Sequence, residues 1–514
     1  MTKTLKVSLI LSLPFVLKYL FLLIFVDFGL LSWYDFIEDV FFVTAFGLMY
    51  FSIKKNHFIS DVLLFVYILY FTLETGSYLA ISSNFTSSFM YVLIEAGKDE
   101  LDEFTSSYLS TSIIFLIVCI TILFLFLRKR VFKYKANMRL LVVGFFLVII
   151  LVFLKVTGLI ENNAYHNIVR GAYGYIQLQN NFNLDEDINK QDILVKNDNE
   201  VFVIVLGEST ARGHLNLYNY YRETTPFLSD FKDSLYIYNN VISTDVLTLK
   251  AVPKMLTSFS NIKTRQPVVN IIDVFNNAGY KTFWLSNQRP ISYHDNAISK
   301  IASRSNYFKF YNHLIEKHAT VLDEVILPKY NEILNTDGRK MIVVRLLGTH
   351  FDYEKRYPSS FEKYKTQNVS EEEMIKNHYD NAVLYNDYIV FSILENLKKL
   401  NKKSALLYLS DHGENVFDEG EFFGRNEASL TKNMFEIPFI LWTSKSFEMP
   451  EDFEYKPNRK FMTDHLYESL GHIFGVLHKD MDVSHSMFSN TFNERQRKVV
   501  NDIDFDNYFL ENNE

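Results

Sequence analysis

Two rhythms of apolar residues divide the chain near residue 160. Before that point hydrophobic residues come in long runs, at about 7–31, 36–53, 58–81, 105–127 and 140–160. Runs of this length suit helices that cross ~30 Å of hydrocarbon. The fourth is uncharged from Thr105 to Leu127, whereas Glu38 and Asp39 shorten the apolar part of the second. Beyond residue 200 short apolar runs alternate with amphipathic stretches. Strands are predicted at Val201–Leu206, Lys281–Ser286, Met341–Leu346, Ala405–Ser410 and Pro438–Trp442. Helices are predicted at about 248–260, 268–278, 320–335, 371–400 and 461–475, with Gly279 as a stop for the second. This alternation predicts βαβ units and a mainly parallel central sheet with helices on both faces. Residues 161–200 are polar with an amphipathic start, Tyr165–Gln179, and read as a linker lying along a membrane surface. The expected organisation is a five-helix transmembrane domain over 1–160, a linker over 161–200 and an α/β domain over 201–514.

Loop charge orients the helices. Lys3 and Lys6 precede the first run, Lys54 and Lys55 separate the second and third, and six basic residues lie between Arg128 and Arg139. The alternate loops, near Asp35 and around Glu95–Glu103, are mostly acidic. Basic loops stay cytoplasmic, so the N-terminus is expected inside and everything after residue 160 outside. A cleavable signal peptide is not expected, since the first run lacks a small-residue cleavage site and more runs follow. Lys18, Asp61 and Glu74 fall within the runs. Such charges either mark a functional site or snorkel to an interface, and snorkelling is the preferred reading. The sole cysteine, Cys119, lies in the fourth run, so the outer domain has no disulfide. A formal net charge of −8 argues against a general nucleic-acid binder.

Two motifs carry the chemistry. Val203-Ile-Val-Leu-Gly-Glu208 and Leu409-Ser-Asp411-His412-Gly-Glu414 are apolar runs ending in carboxylate-bearing turns. Parallel strands would deliver Glu208, Asp411 and His412 to one sheet edge, where ligand sites of open α/β sheets lie. Two carboxylates and an imidazole form a zinc-compatible set. Each motif alone also reads as ordinary strand-end capping. A zinc site with three protein ligands has room for a hydroxyl, which coordination would activate as a nucleophile. Thr248 is the last polar residue before a predicted helix in which Pro253 fits the first turns. It reads either as that nucleophile or as an N-cap, with Ser243 and Thr244 as competing hydroxyls. His350 follows a strand and should reach the same edge. Arg212 and His214 lie just after Glu208, where they could meet a phosphate, and Arg425 is a second cationic candidate. His378 lies in a long helical pattern, where a lone histidine is usually structural.

The stretch Gly207-Glu-Ser-Thr-Ala-Arg-Gly-His-Leu-Asn-Leu-Tyr-Asn-Tyr-Tyr-Arg222-Glu-Thr-Thr-Pro226 resembles the signature of bacterial phosphoethanolamine transferases. These belong to the alkaline phosphatase/sulfatase superfamily and include lipid A-modifying and colistin-resistance enzymes. The resemblance extends to Gly348-Thr-His-Phe-Asp-Tyr-Glu-Lys-Arg-Tyr-Pro358, Tyr379-Asp-Asn-Ala-Val-Leu-Tyr-Asn-Asp387, Ser410-Asp-His-Gly-Glu414 and the five-run topology. It implies that Glu208, Asp411 and His412 bind Zn2+ and that Thr248 is the nucleophile and also contacts the metal. It implies a substrate-handling or second-metal role for His350, with phosphatidylethanolamine as donor. The acceptor implied is lipid A, core oligosaccharide or another envelope component, reached from a multi-pass inner-membrane anchor with the catalytic domain periplasmic. Three positions depart from the pattern. The outer domain lacks the usual disulfides, Arg425 stands where a histidine is common, and Tyr218-Asn-Tyr220 replaces Tyr-Gly-Tyr.

Glu95 and Glu100, in the acidic outer loop, are candidates for holding the donor ammonium, and a monomer is expected. A phosphoglycerol transferase or sulfatase-type hydrolase on the same fold is the alternative within enzymes. A membrane receptor with an outer ligand-binding domain is the alternative outside them.

Overall fold

The computed structural model describes residues 8–26, 32–52, 57–81, 84–87, 90, 93–94, 111–131, 139–185, 188–262, 267–288, 297–311, 321–427 and 429–511. The chain forms two compact units, Met1–Gln177 and Leu178–Glu514. The division therefore falls inside the segment read as a linker.

In the first unit the apolar runs become helices α1 (Leu13–Phe25), α2 (Trp33–Ser52), α3 (His57–Ile81), α4 (Thr111–Val131) and α5 (Leu140–Val156); the next helix, α6 (Ala164–Asn181), contains the division at Gln177. By length and composition α3 and α4 hold windows able to cross a membrane, while α1 and α5 are shorter apolar helices. Leu141, Val148, Val118 and Ile122 are exposed large apolar side chains along α4 and α5. Tyr67, Tyr70, Phe71, Phe46 and Leu64 fill the interior.

Lys18 and Glu74 do not snorkel, which corrects the preferred sequence reading. Lys18 Nζ lies 2.9 Å from Asp35, 2.7 Å from Asp39 and 3.7 Å from Glu74, with all four side chains buried. Tyr19 donates to Asp39 at 2.7 Å, and Tyr70 and Asn163 donate to Glu38 at 2.5 and 2.7 Å. An ammonium surrounded by carboxylates can stay buried, whereas a lone one must reach water. Asp61 is partly exposed and pairs with Arg128 at 2.9 Å. Glu95, Glu100, Lys3, Lys6, Lys54 and Lys55 lie outside the described residues.

The second unit is built on a seven-stranded sheet. Its strands are β1 (Val201–Gly207), β2 (Leu235–Ile237), β3 (Lys281–Ser286), β4 (Tyr307–Phe310), β5 (Lys340–Arg345), β6 (Ser404–Ser410) and β7 (Phe439–Thr443), in the order β2-β7-β6-β1-β5-β3-β4. From β6 to β4 all neighbours are parallel, and β7 runs antiparallel to both β6 and β2. The sheet is thus mixed, parallel over its centre with an antiparallel margin. All seven residues of β1 and of β6 are buried, as expected of strands covered on both faces.

Helices cover both faces. Val203, Val205, Ile342, Val344 and Leu406 pack with Ile389, Ile393 and Leu397 of α11 (Glu371–Lys398). On the opposite face Phe202 meets Phe275 of α8 (Ile271–Asn277) and Phe474 of α12 (Leu466–Phe474). Ser370 caps α11 by accepting from Glu373 N at 3.2 Å, and three glutamates in the first turn complement the helix dipole. Asn270 caps α8 likewise, and Gly279 follows that helix at φ +85 as its stop. The unit also contains α7 (Thr248–Leu256), α9 (Ala297–Ser303), α10 (Leu327–Leu334) and α13 (Phe505–Glu511).

Candidate active site and metal centre

The register of β1 and β6 builds the site. Gly207 pairs with Ser410, so Glu208 and Asp411 leave the sheet side by side at its C-terminal edge. Ser209 turns the chain at once with a positive φ of 58, a conformation uncommon outside glycine. Its N–H donates to Asp411 Oδ1 at 3.2 Å, and its carbonyl accepts from Thr349 and Tyr379 hydroxyls at 2.8 Å each. Gly348 stands against this turn at φ +57. A Cβ there would lie 2.9 Å from both the N and the O of Glu208, so the strand end admits no side chain.

Thr248 is the first residue of α7. Leu247 occupies the cap position without a side-chain cap bond, so Thr248 is not the N-cap. Its hydroxyl instead donates to Glu208 Oε1 at 2.9 Å and Asp411 Oδ2 at 2.6 Å, and lies 3.2 Å from His412 Nε2. Nε2 is also 3.2 Å from Glu208 Oε1 and 3.5 Å from Asp411 Oδ2. His412 Nδ1 donates to the Gly413 carbonyl at 2.8 Å, which fixes the ring with Nε2 facing the cluster. Ser243 bonds the Asp411 and Asp245 carbonyls, holding the loop rather than facing the carboxylates. Thr244 is buried with its hydroxyl unpartnered.

Four donor atoms therefore converge from three segments, and Glu208, Asp411 and His412 are buried. A tetrahedral ion with bonds of ~2.0–2.1 Å holds its ligand atoms roughly 3.3 Å apart. The separations found here bracket that value, and carboxylate, imidazole and hydroxyl are all suitable donors. The residues fit a zinc-type ion.

The surroundings are cationic. Arg425 Nη1 donates to His412 Nε2 at 2.6 Å and lies 4.0 Å from Glu208, and its Nε lies 3.3 Å from Glu414. Arg345, at the end of β5, lies 3.5 Å from Glu208 Oε2, and Gln288, just beyond β3, donates to the same oxygen at 3.2 Å. Burial alone would raise the Glu208 carboxyl. His412, hydrogen-bonded to it, and the Arg345 charge instead hold it well below the usual carboxylate range. Asp411 is pushed up to about 6 by burial and then by the Glu208 charge. Burial lowers His350 to about 3, so its ring is neutral at physiological pH.

Other sequence candidates are placed elsewhere. Arg212 pairs with Glu436 at 2.7 Å. His214 bridges Asp380 at 2.7 Å and Asp418 at 3.0 Å, tying three segments together. His378 bonds the Tyr357 hydroxyl at 2.8 Å from a half-buried position. Arg345, Gln288 and Tyr379 were missed by sequence reading. The first two lie at or just beyond the ends of predicted strands, but that position alone does not tell which strand ends meet Glu208.

Residues 200–476 match the Sulfatase family. The chain is 30% identical over 473 residues to the phosphoethanolamine transferase EptC of Escherichia coli (strain K12), covering 82% of this chain and 81% of that protein. It belongs to the phosphoethanolamine transferase family. CptA of Salmonella typhimurium, another phosphoethanolamine transferase, is also 30% identical over 82% of this chain and 81% of its own length. Among solved structures, the C-terminal periplasmic domain of E. coli EptC in complex with Zn aligns with a TM-score of 0.57 and 33% identity. It covers 61% of this transferase and 96% of that domain. The integral membrane phosphoethanolamine transferase EptA of Neisseria meningitidis aligns over 94% of this chain and 95% of its own, with a TM-score of 0.66 and 18% identity. That match shows the shared fold.

Proposed function

We propose that this transferase moves phosphoethanolamine from phosphatidylethanolamine to a cell-envelope acceptor, by way of a covalent ester on Thr248. The observation that carries this reading is the Thr248 hydroxyl, held 2.6 Å from Asp411 and 2.9 Å from Glu208 instead of capping its own helix. The acceptor we favour is lipid A or lipopolysaccharide core, in keeping with the Kdo(2)-lipid A phosphoethanolamine 7''-transferase of E. coli, 26% identical over 49% of this chain. The anchor we propose has five spans with the catalytic unit periplasmic, on the charge pattern of the loops and the apolar faces of α4 and α5.

Glu208, Thr248, Asp411 and His412 would hold Zn2+, as the Zn complex of the E. coli EptC domain supports. Bound there, zinc would lower the pKa of the hydroxyl and polarise a phosphoryl oxygen. In the first step Thr248 Oγ1 attacks phosphorus and the bond to the diacylglycerol oxygen breaks. The proton that the hydroxyl gives up passes to the departing oxygen, so that diacylglycerol leaves as the alcohol. In the second step an acceptor hydroxyl oxygen attacks phosphorus, the Oγ1–P bond breaks, and the acceptor's proton passes to Oγ1, returning the hydroxyl. Arg425, a partly exposed planar cation beside the cluster, suits two phosphoryl oxygens. His350, neutral and near Glu208, serves as a hydrogen-bonding partner for the substrate.

Intact-mass measurement after exposure to phosphatidylethanolamine tests this. The wild-type protein should gain one phosphoethanolamine, and Thr248→Ala should gain none while keeping its fold. An adduct on Thr248→Ala would remove Thr248 as the nucleophile.

A further inference from the structure

A second cluster of metal-ligating side chains lies in the C-terminal unit and shares no residue with the Thr248 site. His465 is the cap residue of α12 and Glu468 stands three positions further on, which puts both on one side of the first turn. His465 Nδ1 is 3.5 Å from Glu468 Oε2. His485 ends the short turn Val483–His485 and brings its ring to 4.2 Å, centroid to centroid, from that of His465. One ligand atom from each residue lies within 4.8 Å of the other two.

What distinguishes this cluster from an ordinary histidine–carboxylate contact is its lack of hydrogen bonds. His465 and Glu468 are 5% and 7% exposed, yet neither ring nitrogen of His465 nor Glu468 Oε2 has a hydrogen-bond partner. Buried polar atoms are nearly always satisfied, and an unmet set needs an explanation. Three such atoms concentrated on two neighbouring side chains, with a second imidazole tilted beside them, is the arrangement of a site that is satisfied by an ion.

We propose that His465, Glu468 and His485 form a second metal site for a zinc-type divalent transition ion. Two imidazoles and one carboxylate are a donor set that such ions favour over Ca2+ or Mg2+. The 3.5 Å separation of His465 and Glu468 is close to the roughly 3.3 Å between ligands of a tetrahedral zinc ion. The half-buried His485 leaves one side open, for entry of the ion and for a water as fourth ligand. Arg495, the neighbouring cation, is taken up by an ion pair with Asp464 and does not occupy the cluster. The ion would tie the start of α12 to the segment after residue 481. This is a staple in a unit whose sequence has no cysteine to make one.

The test uses the full-length protein in detergent, stripped with chelator and returned to limiting zinc, with bound metal counted by elemental mass spectrometry. In an Asp411→Ala background, which disables the Thr248 site, about one equivalent of zinc per chain should remain. Adding His485→Ala should remove it, and His485→Cys, which supplies another zinc ligand, should keep it. Zinc should also raise the thermal midpoint of Asp411→Ala and leave that of Asp411→Ala/His485→Ala unmoved. The proposal is overturned if Asp411→Ala holds no zinc, or if His485→Ala and His485→Cys carry the same amount.

Discussion

Each unit buries a knot of carboxylates, and the two knots solve the same electrostatic problem differently. In the first unit Asp35, Asp39 and Glu74 surround Lys18, a cation that is part of the chain. In the second, Glu208 and Asp411 aim their oxygens, with His412 Nε2, at a single hydroxyl. Arg425 and Arg345 stand to the side of that hydroxyl. Removing charges from water costs several kcal/mol per ion unless they are matched. A covalently attached counterion gives permanence, whereas an arrangement that leaves donor atoms convergent can accept an exchangeable one. The first pattern belongs to architecture and the second to chemistry.

The comparison breaks most sharply at Asp411. Asp411→Ala should lower zinc at the Thr248 site and reduce transfer by at least ~10³-fold, the scale of losing a positioned electrostatic group. Transfer assays beside zinc analysis would measure both, and full zinc with full activity would refute the assigned ligands. Lys18→Met should act on the other knot. Leaving its carboxylates without a cation should destabilise the first unit by about 3–5 kcal/mol, seen as lower yield and earlier thermal aggregation in detergent. Zinc at Thr248 should be unaffected, and a Lys18→Met protein as stable as wild type would show that the ammonium is not the counterion.

Arg425→Gln probes the cation beside the catalytic knot. Transfer should fall by about 10²-fold with zinc retained, if the guanidinium meets phosphoryl oxygens as proposed rather than serving as a ligand. The smallest effect concerns His214. Burial lowers this imidazole, but its bonds to Asp380 and Asp418 outweigh burial and raise it to about 9. A folded-state value above the ordinary ~6.5 means that the stabilisation is complete below that pH and is lost as pH rises through about 9. A contribution on the order of 2–3 kcal/mol should therefore vanish between neutrality and pH 10, and His214→Gln should flatten that part of a melting-temperature profile.

Much of the second unit was legible in the sequence because its strands are buried on both faces and read as apolar blocks. Five were placed within a residue of their observed ends, β3 among them at its observed limits. The edge strands β2 and β4, short and only partly buried, have no such signature. Glu208, Asp411 and His412 were visible because each follows directly on a buried strand. Arg345 and Gln288 were not, since contact with Glu208 depends on sheet order, which a single sequence does not print. The same limit hid the Lys18 knot. Its partners are 17, 21 and 56 positions away, and only helix packing brings them together. Arg212 and His214 were judged by their nearness to Glu208 along the chain, but the short turns after the strand carry them to carboxylates instead.

The pairing of Gly207 with Ser410 joins segments about two hundred residues apart. A slip of one residue in parallel pairing would move Asp411 by about 3.3 Å relative to Glu208 and turn its side chain to the other face. The donor set thus exists only when the central sheet has closed in its correct alignment, and contacts so distant in sequence make folding slower. Catalytic competence then serves as a proofreading signal. A newly made chain assembles the donors around Thr248 only once its most remote parts agree, so a half-folded chain would lack the site proposed for transfer.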